Sequence, residues 1–64
     1  MNKTDLARQY FPDATPQSEL RMLNRYMHRA VGLLDGLTRA FYRPDDRHLT
    51  PRQVQIIYAY LGEP

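Results

Sequence analysis

Thr15-Pro16-Gln17-Ser18-Glu19-Leu20-Arg21-Met22-Leu23-Asn24-Arg25-Tyr26-Met27-His28-Arg29-Ala30 is the stretch on which the fold turns. Thr15 offers a hydroxyl to the unpaired amides of a first helical turn. Pro16 follows at the first helical position, where its missing N–H costs nothing. At about 100° per residue, Leu20, Leu23, Met27 and Ala30 share one arc, while Ser18, Arg21, Asn24, Arg25, His28 and Arg29 share the opposite one. The spacing predicts an amphipathic helix with an apolar side and an arginine-rich back.

Working outward, proline and glycine divide the rest of the chain into three more helical segments. Thr4 to Phe11 forms the first, opened by the Thr4 hydroxyl, favoured by Asp5 against the helix dipole and ended by Pro12. Leu6, Ala7, Tyr10 and Phe11 line its core side. Gly32 interrupts the Thr15–Ala30 helix, and a segment of about Leu33 to Phe41 turns Leu33, Leu34, Leu37, Ala40 and Phe41 inward. Because apolar periodicity runs from Leu20 through Leu34 with little phase change, one bent helix is the alternative. A polar turn, Arg43 to Arg47, precedes the clearest start in the chain, Thr50-Pro51-Arg52-Gln53. These residues form a capping box, with Leu49 placed to staple onto Val54. Gly62 and Pro64 stop that last helix. Val54, Ile57, Tyr58 and Leu61 make its core stripe, while Ile56 and Tyr60 lie on the other side, more apolar surface than one small core requires. The expected architecture is all-α: a compact single domain, residues 1–64, of four short helices, helix-turn-helix-like.

Length and composition set the limits on function. A chain of 64 residues has room for one core, buries roughly 60% of the surface its unfolded form exposes, and can spare nothing for deep pockets. With no cysteine it has neither disulfides nor a thiolate zinc cage, which suits a reducing compartment. The opening residues, Met1-Asn2-Lys3-Thr4-Asp5, lack an export signal, and the longest apolar run, Ile56 to Leu61, is far short of the ~18 residues of a membrane span. A cytoplasmic protein is expected, without a membrane partner. Nine basic against seven acidic side chains give a net charge of +2, and eight of the nine are arginine. Guanidinium groups suit bidentate contacts to phosphate or carboxylate, so their placement matters more than their sum.

Two stretches, LARQYFPDATPQS at residues 6–18 and LTPRQVQIIYAYLGEP at residues 49–64, resemble a family of small bacterial proteins of unassigned function. That family is catalogued as a domain of unknown function. Its pattern joins a YFP tripeptide, here Tyr10-Phe11-Pro12, to a helix-opening Thr-Pro or Ser-Pro and a closing TPRQV…YLGEP. The likeness covers nearly the whole chain, with Tyr26 in place of a tryptophan and Phe41 in place of a glycine. The resemblance implies a compact helical domain and carries no activity and no functional residue with it.

Function must therefore be argued from the residues. A short helix, a turn from Pro12 to Thr15 and a longer amphipathic helix have helix-turn-helix proportions. If the second helix entered a major groove, Gln17, Ser18, Arg21, Asn24, Arg25, His28 and Arg29 would face base edges and phosphates of duplex DNA. The plainer reading is a solvated face, its arginines complementing the helix dipole and Glu19 offsetting part of the charge. A second candidate is a protein-binding or homodimerising surface on the last helix, centred on Ile56 and Tyr60, with completion of the core as its plainer counterpart. Catalysis has little to stand on. His48 with Asp45 and Asp46 matches no metal-ligand spacing and reads as a loop cap. Ser18, the only serine, has no triad partner, and Gly32, Gly36 and Gly62 cannot make a phosphate loop. A non-enzyme with no cofactor, no metal and no small-molecule substrate is expected.

Overall fold

Residues 1–64 are described by a computed structural model. Four helices follow one another: α1 (Lys3–Tyr10), α2 (Pro16–Arg29), α3 (Leu33–Arg39) and α4 (Pro51–Leu61). The chain is all-α, and α1 lies against α2 while α3 lies against α4. Six large side chains are fully enclosed: Leu6 from α1, Leu23 and Met27 from α2, Leu33 and Leu37 from α3 and Ile57 from α4. Each helix thus contributes residues of its predicted stripe to one shared core, although Leu20, Ala40 and Phe41 stay outside it.

Local chemistry explains most boundaries. The Thr15 hydroxyl accepts from the Ser18 amide at 3.3 Å, with Pro16 opening α2. At α4 the capping box closes both ways: Gln53 N–H to Thr50 Oγ1 at 3.2 Å and Thr50 N–H to Gln53 Oε1 at 3.0 Å. Leu49 and Val54 are both buried beside it, as the staple requires. The remaining donor of Gln53, its Nε2, reaches the Ala40 carbonyl at 2.9 Å. One buried amide side chain therefore ties the start of α4 to the end of α3.

The start of α1 differs from expectation. Asn2, not Thr4, is the cap, its Oδ1 accepting from the Thr4 amide at 2.9 Å, so that the helix begins at Lys3. The reason lies outside the helix. Asn2 forms an isolated antiparallel bridge with His48, flanked by Lys3 N–H to Arg47 O (2.7 Å) and Leu49 N–H to Met1 O (2.6 Å). That pairing holds Asn2 extended, the conformation a cap needs.

Gly32 does break the α2–α3 path, at φ +85°, which rules out the single bent helix. The end of α3 brings a second correction. The helical spacing places Phe41 inward, yet it stands 89% exposed, and α3 ends at Arg39. The Tyr42 amide bonds the Leu37 carbonyl at 2.9 Å and the Phe41 amide bonds that of Thr38 at 3.0 Å, the paired pattern of a left-handed helix exit. Helical periodicity cannot be extended through such a turn. It buries Tyr42 over Leu37 and swings Phe41 into solvent at φ +67°. A bulky residue in that region is strained.

Two buried polar groups were not foreseen. Lys3 is 7% exposed and its Nζ donates to the Tyr42 hydroxyl at 2.6 Å. Glu19 is 3% exposed, with Arg8 Nε 3.8 Å from its Oε2 and no hydrogen bond to that oxygen. At the far end of the molecule the Tyr10 hydroxyl donates to the Gly62 carbonyl, and the Tyr58 hydroxyl to Gln9 Oε1 at 3.0 Å.

Replacing Phe41 with glycine removes the left-handed strain and sacrifices no packing. Urea unfolding of the Phe41→Gly variant is expected to show stability higher by roughly 0.5–1 kcal/mol, after the entropy glycine adds to the unfolded chain is deducted. An unchanged or lower midpoint would mean that the ring makes a contact the fold relies on. Burial, then the nearby Tyr58 and Glu63, push the Tyr10 hydroxyl above its ordinary value of 10.0. Tyr10 therefore stabilises the fold fully below that ordinary value and ceases to as pH rises through the raised one. Stability measured across this alkaline window is expected to fall in the parent and to fall less in Tyr10→Phe.

Candidate functional site

The outer face of α2 keeps its arginines free. Arg21, Arg25 and Arg29 are exposed, and neither of the two ion pairs in the chain, Arg8 with Glu19 and Arg39 with Asp35, involves them. Asp35 is spent on its own helix at 3.5 Å, and Asp13 pairs with no cation. Glu19, the carboxylate expected to offset the row, is turned inward toward Arg8 and so sits on the core side of α2. The row thus presents its positive charge with no acidic side chain in contact.

The other α2 candidates divide by position. Gln17 is exposed in the first turn. Ser18 is half-buried and its Oγ accepts from Thr15 Oγ1 at 2.9 Å, so capping occupies it. His28 is exposed, and its Nδ1 lies 2.7 Å from the Asn24 carbonyl. A carbonyl can only accept, so Nδ1 carries the proton and Nε2 is left for solvent or a ligand. Asn24 is half-buried and sits on the flank facing the Pro44–Arg47 turn, off the arginine row.

On α4 the two interface candidates part company. Ile56 is half-buried against the core, its Cγ2 only 3.7 Å from where a Cβ on Gly36 would sit, so α3 takes up that apolar surface. The plainer reading, core completion, accounts for Ile56. Tyr60 is 50% exposed, its ring edge resting on Gly32. Together with Tyr26, Arg29, Ala30 and Leu61 it lines a shallow groove of about 370 Å³. The arginine row and the exposed tyrosine therefore meet at Arg29.

Tyr26, which sequence reasoning had not assigned to an interface, belongs to this groove and also stacks edge-on against Phe11 at 5.0 Å between ring centres. Tyr10 links Phe11 to Tyr58, each at 6.4 Å, giving a run of aromatic rings along one side of the molecule. The signal was present in the sequence as aromatic residues in three helical segments. Only their packing showed that they are neighbours.

The Asp45–Asp46–His48 turn is arranged as a loop cap. Asp46 Oδ2 accepts from the Arg43 amide at 3.0 Å, and His48 is exposed with its backbone bridged to Asn2. No group of three or more His, Cys, Asp or Glu side chains is placed to hold a metal ion. No helix is long and apolar enough to cross a membrane.

No curated protein matches the chain, and no solved structure does. One family model does match, over residues 1–64, and its description is a domain of unknown function, DUF4248. Because that match runs over the whole of residues 1–64, the chain belongs to the DUF4248 family.

Proposed function

We propose that the protein is a cytoplasmic, non-enzymatic binding module whose α2 face contacts the phosphate backbone of duplex DNA. The observation that carries this reading is the unpaired row of Arg21, Arg25 and Arg29 on one exposed helix face. Free guanidinium groups suit bidentate phosphate contacts, and releasing the counterions that phosphates hold drives such binding. Gln17, ahead of the row in the first turn, is the side chain best placed to reach a base edge, with α1 and the turn after it as the helix-turn-helix support. The inward turn of Glu19 favours the reading further, because it leaves the face uncompensated. A net charge of only +2 implies modest affinity, governed by this local row.

Fluorescence anisotropy with a labelled duplex at ~50 mM salt should give saturable binding. Neutralising three phosphates predicts a log–log salt slope of about −2.7, and Arg25→Ala should reduce its magnitude by about 0.9. Absence of saturable binding, or a slope unmoved by Arg25→Ala, would reject the proposal.

The Tyr26–Tyr60 groove supports a second reading, in which a protein partner or a second copy docks there. Tyrosine is enriched at interfaces because it combines apolar area with a polar tip. On this reading light scattering detects a dimer, or cross-linking a partner complex, that Tyr60→Asp abolishes without unfolding the chain. A particle that stays monomeric and uncross-linked at high concentration would count against it.

A further inference from the structure

Lys3 is a buried cation with no counter-charge. Its Nζ has two protein partners, both neutral: the Tyr42 hydroxyl at 2.6 Å and, more distantly, the Pro44 carbonyl at 3.4 Å. No carboxylate lies within ion-pairing distance of it. Taking an ammonium out of water without an anion is unfavourable, and an arrangement that keeps one buried beside a cleft invites an anion into that cleft.

Donor bookkeeping points the same way. An ammonium has three N–H groups, and two acceptors are all the protein supplies to this one. The Tyr42 hydroxyl accepts from Lys3 but donates to no protein group, and the side-chain amide of Asn24 has no protein partner. Lys3, Asn24, His28 and Tyr42 line a single cleft between α2 and the Tyr42–Pro44 segment, floored by Met27 and Leu34. An apolar floor lowers the local dielectric and strengthens any ionic contact made above it.

We infer that this cleft binds a small oxyanion, a phosphate group or a carboxylate, held by Lys3, the Tyr42 hydroxyl and the Asn24 amide. Size limits the ligand. The cleft measures about 180 Å³, below the ~300 Å³ at which organic-ligand pockets begin, yet it holds several waters at ~30 Å³ each. An ion or a terminal phosphate fits and a larger molecule does not. Lys3 and Asn24 also line the adjoining cleft, where the carboxylates of Asp45 and Asp46 stand across Pro44 with Arg47 beside them and Asp46 is held by the Arg43 amide. The site does not depend on the arginine row, since Asn24 lies on a different flank of α2 from Arg21 and Arg25.

The test is an NMR titration of the full chain with sodium phosphate against chloride at constant ionic strength. Parallel arms use sodium acetate and a short DNA duplex. The expected result is saturable shifts with a Kd on the order of ~1 mM, largest at Lys3, Asn24 and Tyr42, and weakened about tenfold by Asn24→Leu or Tyr42→Phe. Asn24→Leu alters only a half-buried position, so it serves even if Tyr42→Phe fails to fold. Saturation by phosphate or by acetate supports the site and names the group it prefers. Displacement of phosphate by the duplex, prepared with 5′-phosphates, identifies the anion as a terminal phosphate of a nucleic acid, and lack of displacement identifies it as a free ion. No saturation by either anion up to ~20 mM overturns the inference, as do shifts confined to Arg21, Arg25 and Arg29, or an affinity that Asn24→Leu leaves unchanged.

Discussion

None of the four helices is long enough to hold itself in water. Isolated helices below ~12–15 residues are marginal, and these run from 7 to 14. Each exists because the others cover its apolar stripe, and six large, fully enclosed side chains, drawn from all four helices, form the centre of the one interior available. Burying each stabilises the fold by about 1.5–3 kcal/mol before chain entropy is counted, so little can be given up to an internal site. Two polar fasteners complete the assembly where apolar surface runs out. The Asn2–His48 bridge joins the start of α1 to the entry of α4, and Gln53 joins α3 to α4.

With the interior committed to packing, function falls to the surface, and the same packing decides which surface is free. Drawing Glu19 inward toward Arg8 links α1 to α2 and also strips the outer face of α2 of its one nearby acid. Seating Ile56 on Gly36 takes its apolar surface out of the exposed side of α4 and leaves Tyr60 beside Arg29. Enclosing Lys3 beside Tyr42 steadies the loop after α3 and places a cation at the foot of a narrow cleft. In each case an interaction that holds helices together also fixes the chemistry of an exposed group.

What could be read from the sequence was local. Thr15-Pro16 and Thr50-Pro51-Arg52-Gln53 bind amides within three residues of themselves, so their spacing alone placed two helix starts. The stripe from Leu20 to Ala30 and the opposed arginines follow from helical periodicity. Reading failed where a distant residue decided the outcome. Thr4 gave way to Asn2 because His48, far along the chain, holds Asn2 extended. Phe41 carries the spacing of an inward residue, but periodicity assumes that the helix continues, and the left-handed exit reverses the direction of its side chain. The inward turn of Glu19 and the pairing of Lys3 with Tyr42 required knowing which segments become neighbours, which neither charge pattern nor composition encodes.

The short ladder between residues 1–3 and 47–49 has one more consequence. The amides of Lys3 and Leu49 both donate across it, to Arg47 and Met1, and the Met1 amine returns a bond to the Leu49 carbonyl at 2.9 Å. Neither amide can reach bulk solvent to exchange its hydrogen unless the two segments separate. The two ends therefore open as one cooperative unit, and fraying at the amino terminus cannot proceed without loosening the entry to the carboxy-terminal helix.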